Sequence, residues 1–149
     1  MLNLSVILFF IMFLSTTYNK NFLNFGLLLL RIVIGLSMLS HGYPKLQMLM
    51  SGKIEFMSLW GLSPGFTLAM VVFAEFLCPF FIIIGLFTRL ACIPIMFTML
   101  FAIFMVHIQD DFSKMELPIL YFLSYLMLLI LSAGKFSVDA MIEKRRYEW

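Results

Sequence analysis

Arg31-Ile-Val-Ile-Gly-Leu-Ser-Met-Leu-Ser-His-Gly-Tyr-Pro-Lys45 is the stretch that decides how this chain is read. It closes a longer apolar segment, Phe22–Tyr43, which at about 1.5 Å per helical residue can cross a hydrocarbon layer of roughly 30 Å. One arginine sits inside the apolar run, and a His-Gly-x-Pro-Lys group ends it. An Arg in hydrocarbon costs roughly 2.5–3.5 kcal/mol on insertion scales, so a partner or a water-filled neighbour is expected. The later apolar segment Phe66–Phe87 carries one carboxylate, Glu75. The expectation is that Arg31 and Glu75 pair inside a small helical membrane bundle.

Composition agrees with that class. Of 149 residues, 63% are hydrophobic and 12% charged, with a mean hydropathy of +1.06. A soluble domain of this size could not hide so much apolar surface. A formal charge of +2 gives no support for nucleic-acid binding. Cys78 and Cys92 lie fourteen apart in separate apolar segments. That is neither a CxxC pair nor metal-ligand spacing, and it reads as buried free thiols behaving as small apolar residues.

Four apolar segments are long enough to span: Phe22–Tyr43, Phe66–Phe87, Leu90–Ile108 and Leu117–Ala133. Pro118 is expected at the start of the fourth, where a missing N–H is harmless. Pro79 and Pro94 fall inside the second and third as tolerated kinks. Gly85-Leu-Phe-Thr-Arg-Leu90 is too short for anything but an antiparallel hairpin. Pro44–Gly65 alternates apolar and charged residues and is expected to lie on the membrane surface, with Trp60 at headgroup depth. Residues 1–21 form an additional apolar N-terminal segment, expected to be an uncleaved helix; an interfacial segment and a start at Met12 are the alternatives. The expected fold is all-α, a four-helix integral membrane bundle over residues 22–139 with a basic tail at 140–149.

Charge asymmetry orients the bundle. With the tail inside, one side holds Lys20, Arg89, Lys135, Lys144, Arg145 and Arg146, and the other Lys45, Lys53 and Lys114. The positive-inside rule therefore puts the C-terminus in the cytosol and both Pro44–Gly65 and Gln109–Glu116 outside.

Arg31-x3-Gly35 leading to His41-Gly42-x2-Lys45 resembles the first-helix signature of the DoxX family. Glu75, the turn Gly85-Leu-Phe-Thr-Arg89 and the closing Gly134-Lys-Phe-Ser-Val-Asp139 extend the resemblance, which runs from about Leu27 to Asp139. It implies a small four-helix membrane protein of bacteria or archaea. It also implies a link to membrane oxidoreductase assemblies, including sulfur and quinone chemistry, and to thiol or oxidative-stress homeostasis.

The candidate ligand or proton-path residues are Arg31, His41, Lys45, Glu75 and His107. If the helix continues that far, His41 and Lys45 are one turn apart and share a face. His107 ends the third segment in the same outer layer. The bland alternatives are a charged pair that fixes helix register, an Arg snorkelling to the headgroups, and an ordinary polar belt at the interface. Two histidines without a nearby Cys or paired carboxylate make no metal site, and Asp110, Asp111 and Glu116 read as solvated loop charges. No nucleophile–base pair, phosphate loop or dinucleotide fingerprint is present.

Two functions compete. In one, the chain is the membrane subunit of a redox assembly, in a bacterial inner membrane, holding a quinone or similar carrier beside partner redox subunits. In the other it is a non-enzymatic scaffold or small-molecule carrier, and the buried Arg–Glu pair is structural.

Overall fold

The computed structural model describes residues 19–59 and 61–146. The expected N-terminal helix and the position of Trp60 fall outside the described residues. Asn19 opens the first helix, α1 (Lys20–Ser51), by accepting the Asn21 N–H at 2.8 Å. At about 1.5 Å per residue α1 is roughly 48 Å long, more than a bilayer's hydrocarbon needs. It does not stop at Tyr43 as expected. Pro44 removes only the hydrogen bond to the Ser40 carbonyl, and the helix continues because Lys45, Leu46, Met48 and Leu49 are half-buried at helical spacing. Gly52, at φ 71°, ends it in a left-handed conformation that costs glycine little.

The expected surface stretch thus divides. Its first half prolongs α1. Its second half, residues 53–59, has no regular structure and sends Phe56, Met57 and Leu59 into an apolar cavity.

Three further helices are long and apolar enough to span: α2 (Pro64–Ile84), α3 (Thr88–Val106) and α4 (Phe112–Leu131). Ser63 caps α2, with Pro64 in the first turn where no N–H is needed. α4 begins five residues earlier than expected, so Pro118 lies inside it rather than at its start, freeing the Lys114 carbonyl. A short α5 (Val138–Arg146) follows. No strand occurs among the described residues. The fold is the expected all-α membrane bundle.

The two faces of α1 explain why lipid is the solvent. Leu27, Arg31, Ile34, Met38 and Gly42 face inward, and Phe25, Leu29, Val33 and Leu36 form an equally apolar outward stripe. Water would oppose that second stripe, whereas hydrocarbon accepts it. Within, α1 packs along α2 and α3 along α4. Met38, Ile82, Cys92, Ile95, Tyr125 and Leu128 fill the centre. Tyr125 satisfies its hydroxyl by donating to the Ile34 carbonyl at 3.1 Å. Cys78 and Cys92 are free and buried, as expected.

One local irregularity positions everything that follows. α2 contains a π-helical turn, Phe73–Leu77, immediately before Cys78-Pro79. Proline has no N–H for the carbonyl four residues earlier, and its ring collides with that carbonyl, which belongs to Glu75. The wider turn takes up the conflict. It leaves the Glu75 backbone against α1, where residue 42 is glycine.

Candidate functional site

Helix register decides which polar groups meet. Arg31 lies against Gly85, Gly35 against Ile83 and Pro79, and Gly42 against Glu75. Glu75 is therefore level with Gly42, eleven residues and roughly 16 Å along α1 from Arg31. The expected Arg31–Glu75 pair does not form. α1 outruns its expected segment, and the small residues Gly35 and Gly42 set the actual register against α2.

Glu75 pairs instead with Lys45, one turn beyond His41 on the prolonged α1. The Glu75 side chain is 6% exposed and that of Lys45 30%. The acid is thus withdrawn from water while its partner still touches it. A lysine can do this because its alkyl stem runs along apolar surface and its charge stays at the edge.

This pair is the shared wall of two cavities. The first, of about 720 Å³, lies between α2, α3 and the 53–59 strap. Phe73, Met70, Ile93, Phe97 and Phe101 line it, Thr67 and Thr98 are among its few polar residues, and Lys45–Glu75 forms its charged end. Small-molecule sites typically occupy roughly 300–1,000 Å³, mostly apolar with a few convergent polar groups. The second, of about 250 Å³, is mixed, with Met38, Met99 and Leu117 among its apolar residues. His41, Lys45, Glu75, His107, Lys114 and Tyr121 line it. Four of the five candidate residues named from sequence thus converge, and Arg31 stands apart.

Each histidine has a neighbour. The His41 ring meets Tyr121 edge-on, centroids 5.7 Å apart. A second π-helical turn, Ala102–Val106, delivers His107. Its Nδ1 lies 2.8 Å from Asp110 Oδ2, and Asp110 Oδ1 accepts from Lys114 Nζ at 3.0 Å. The hydrogen bond from His107, and then that from Lys114, hold the Asp110 carboxyl below the usual carboxylate range. Asp110 is a loop charge in contact with water, as expected, and is in addition paired with His107 and Lys114. Tyr121 and Lys114 were missed as lining residues. The signal for Lys114 was its i,i+4 relation to Asp110; Tyr121 had none beyond its place on an inward helical face.

Arg31 belongs to a second polar cluster at the other end of the bundle. It is fully buried, donates through Nη2 to the Phe136 carbonyl, and faces the charge of Asp139. Asp139 in turn accepts the backbone N–H groups of Phe87 at 2.8 Å and Thr88 at 3.0 Å, capping α3. Gly85, at φ 73°, leaves room for the guanidinium, since a Cβ there would lie 2.5 Å from Ser137 Cβ and closer still to Arg31. Arg31, the Gly85–Arg89 turn and the Gly134–Asp139 segment therefore form one knot that fastens the chain's end to the α2–α3 hairpin.

The fold and these clusters define a multi-pass helical membrane protein with a buried ion pair beside an apolar cavity. The DoxX family model matches residues 26–108, more than half of the chain, and the chain belongs to that family. No curated protein and no solved structure gives a match.

Proposed function

We propose that this DoxX-family chain is the membrane subunit of a redox assembly and holds a quinone or similar lipid-soluble carrier, with partner subunits supplying the electron chemistry. The observation that carries the reading is the Lys45–Glu75 pair at the charged end of an otherwise apolar cavity of about 720 Å³. A carbonyl-bearing head suits an ammonium donor and a carboxyl group, and an isoprenoid tail suits the Phe- and Met-lined remainder. A bound quinone would supply two-electron redox chemistry; the chain's own residues would bind and orient its head. We further propose a bacterial inner membrane with the C-terminus cytosolic, supported by Arg89, Lys135 and the basic α5 clustering at the Arg31 end. External labelling of cysteines placed at Lys53 or Lys114, but not at Lys144, checks that orientation in intact cells.

The deciding experiment is binding of a photoreactive quinone analogue to the purified protein in nanodiscs. Crosslinks are expected at Met70, Ile93 and Phe97. Lys45→Met is expected to weaken binding by about 10-fold or more, as loss of a charged hydrogen bond worth about 1.5–3 kcal/mol implies. Crosslinks confined to outward residues such as Leu29 and Leu36 would favour the scaffold reading, in which the ion pair only holds α1 to α2.

A further inference from the structure

We infer that the 250 Å³ cavity beside His107 is a proton-exchange route connecting water at the α3–α4 turn with the Glu75 carboxylate. The inference rests on the ligand-site reading for what the proton serves, namely a carrier head held at Glu75. Its geometric grounds are separate from the apolar cavity.

Glu75 lines both cavities and therefore has two faces. The apolar face opens toward Phe73 and Phe97, and beyond the Lys45–Glu75 pair its polar groups are the hydroxyls of Thr67 and Thr98, with no histidine or further carboxylate among the described residues. The polar face holds His107, whose Nδ1 is tied to Asp110. That bond sets the neutral tautomer, with Nδ1–H donating to the carboxylate and Nε2 left as the proton acceptor. The His107 side chain is 28% exposed, so the relay begins in water. The cavity has room for several waters at about 30 Å³ each, and His41, Glu75, His107 and Tyr121 on its wall offer them hydrogen-bond partners. Both ends of the route, Glu75 and His107, are set by π-helical turns, which occur frequently at functional sites.

The transfer balances without electrons. Nε2 of His107 takes one proton from water, and Asp110 offsets the imidazolium charge. The imidazolium then releases a proton through the cavity to Glu75, which becomes a neutral acid and frees the Lys45 ammonium for a ligand oxygen. The net change is one proton moved from water to Glu75. The charged and titratable groups facing Glu75 are Lys45 and His41 on α1, His107 on α3, and Lys114, Tyr121 and Tyr125 on α4. Of these, His107 and Lys114 are both hydrogen-bonded to Asp110, a carboxylate that reaches solvent, and of the two only His107 has a second ring nitrogen free to take up and release a proton.

Infrared spectroscopy of the ligand-free protein tests the route. In Lys45→Met the unpaired Glu75 should show a carboxylic-acid carbonyl band, absent when Glu75→Gln is added. On transfer to D2O that band should shift at once. Lys45→Met with His107→Phe should slow the shift at least tenfold, and His107→Asn should slow it comparably, separating loss of the relay from filling of the cavity. Ala69→Phe, which fills the apolar cavity, should leave the shift unchanged while reducing binding of the quinone analogue. Should Lys45→Met fail to insert, the same band is followed in the wild-type protein at low pH. An exchange rate indifferent to both His107 substitutions, or slowed by Ala69→Phe, overturns the route. A quinone analogue that binds nowhere, with His107-dependent exchange intact, removes the ligand reading and leaves the route standing.

Discussion

Gly42 on α1 rests against the backbone of Glu75 on α2 so closely that a Cβ there would lie 2.6 Å from the Glu75 carbonyl carbon. The contact is backbone on backbone, so no side-chain rotation can relieve it. Gly42→Ala must lift α1 from the π-helical turn, an overpacking cost of about 1–3 kcal/mol. It should also pull Lys45 out of line with Glu75 and weaken binding of the quinone analogue. Gly26→Ala is the control, because nothing lies within 4 Å of its Cβ. That change should stabilise α1 by about 0.5–1 kcal/mol. Thermal unfolding in detergent distinguishes the two, and equal effects would mean that close approach at residue 42 has no special role.

The Lys45–Glu75 pair should behave as a coupled unit. Removing Lys45 strands a nearly buried carboxylate, at a cost of about 3 kcal/mol, the lower end for a buried pair because Lys45 keeps part of its side chain in water. Lys45→Met with Glu75→Leu should recover most of that loss. Arg31→Met with Glu75→Leu should be additive, because the two residues occupy different ends of the bundle. A double-mutant cycle by chemical denaturation reads both couplings, and strong Arg31–Glu75 coupling would contradict the register described above.

The sequence made the bundle legible because its apolar runs are long and almost free of charge, and the residues of the site were legible because polar groups in such runs are costly. Which of them would pair was not. Register between α1 and α2 depends on Gly35 and Gly42 meeting Pro79 and the π-helical turn, and a wider turn leaves no periodic trace in the residues that form it. The run past Pro44 was misread for a related reason. A proline marks a weakened helix position, but half-buried Leu46, Met48 and Leu49 outweigh one missing hydrogen bond. Arg31's true partner was illegible in principle, since a backbone carbonyl, that of Phe136, has no sequence signature.

Acid should loosen the α3–α4 turn late. Asp110 has its proton affinity depressed chiefly by the His107 hydrogen bond and then by Lys114. A depressed carboxyl contributes stability that is fully present above its unfolded value, about 3.9, and is lost as pH falls through the lower folded value. The turn should therefore keep its geometry at pH 4 and lose it only below that. Carbon-detected NMR titration of the Asp110 carboxyl should show the low midpoint, and His107→Ala should move it upward. An unshifted midpoint in His107→Ala would mean that the hydrogen bond does not hold in solution.

The knot around Arg31 should fail asymmetrically. Asp139→Ala removes the acceptor of two backbone N–H groups at the start of α3, a cap worth about 1 kcal/mol. It also strips the buried guanidinium of the carboxylate that faces it, and the combined loss should reach at least about 2 kcal/mol. Arg31→Met is milder, because it removes the buried charge itself and leaves Asp139 still accepting from Phe87 and Thr88. With Arg31→Met in the background, Asp139→Ala should then cost little more than the lost cap. The readout is limited trypsin digestion of protein in nanodiscs, since Lys135 lies in the segment that the knot secures. Cleavage there should be fast in Asp139→Ala and slow in both the wild type and Arg31→Met. If Arg31→Met released the segment as readily as Asp139→Ala, the Phe136 carbonyl bond, rather than the Asp139 cap, would be what fastens the end of the chain.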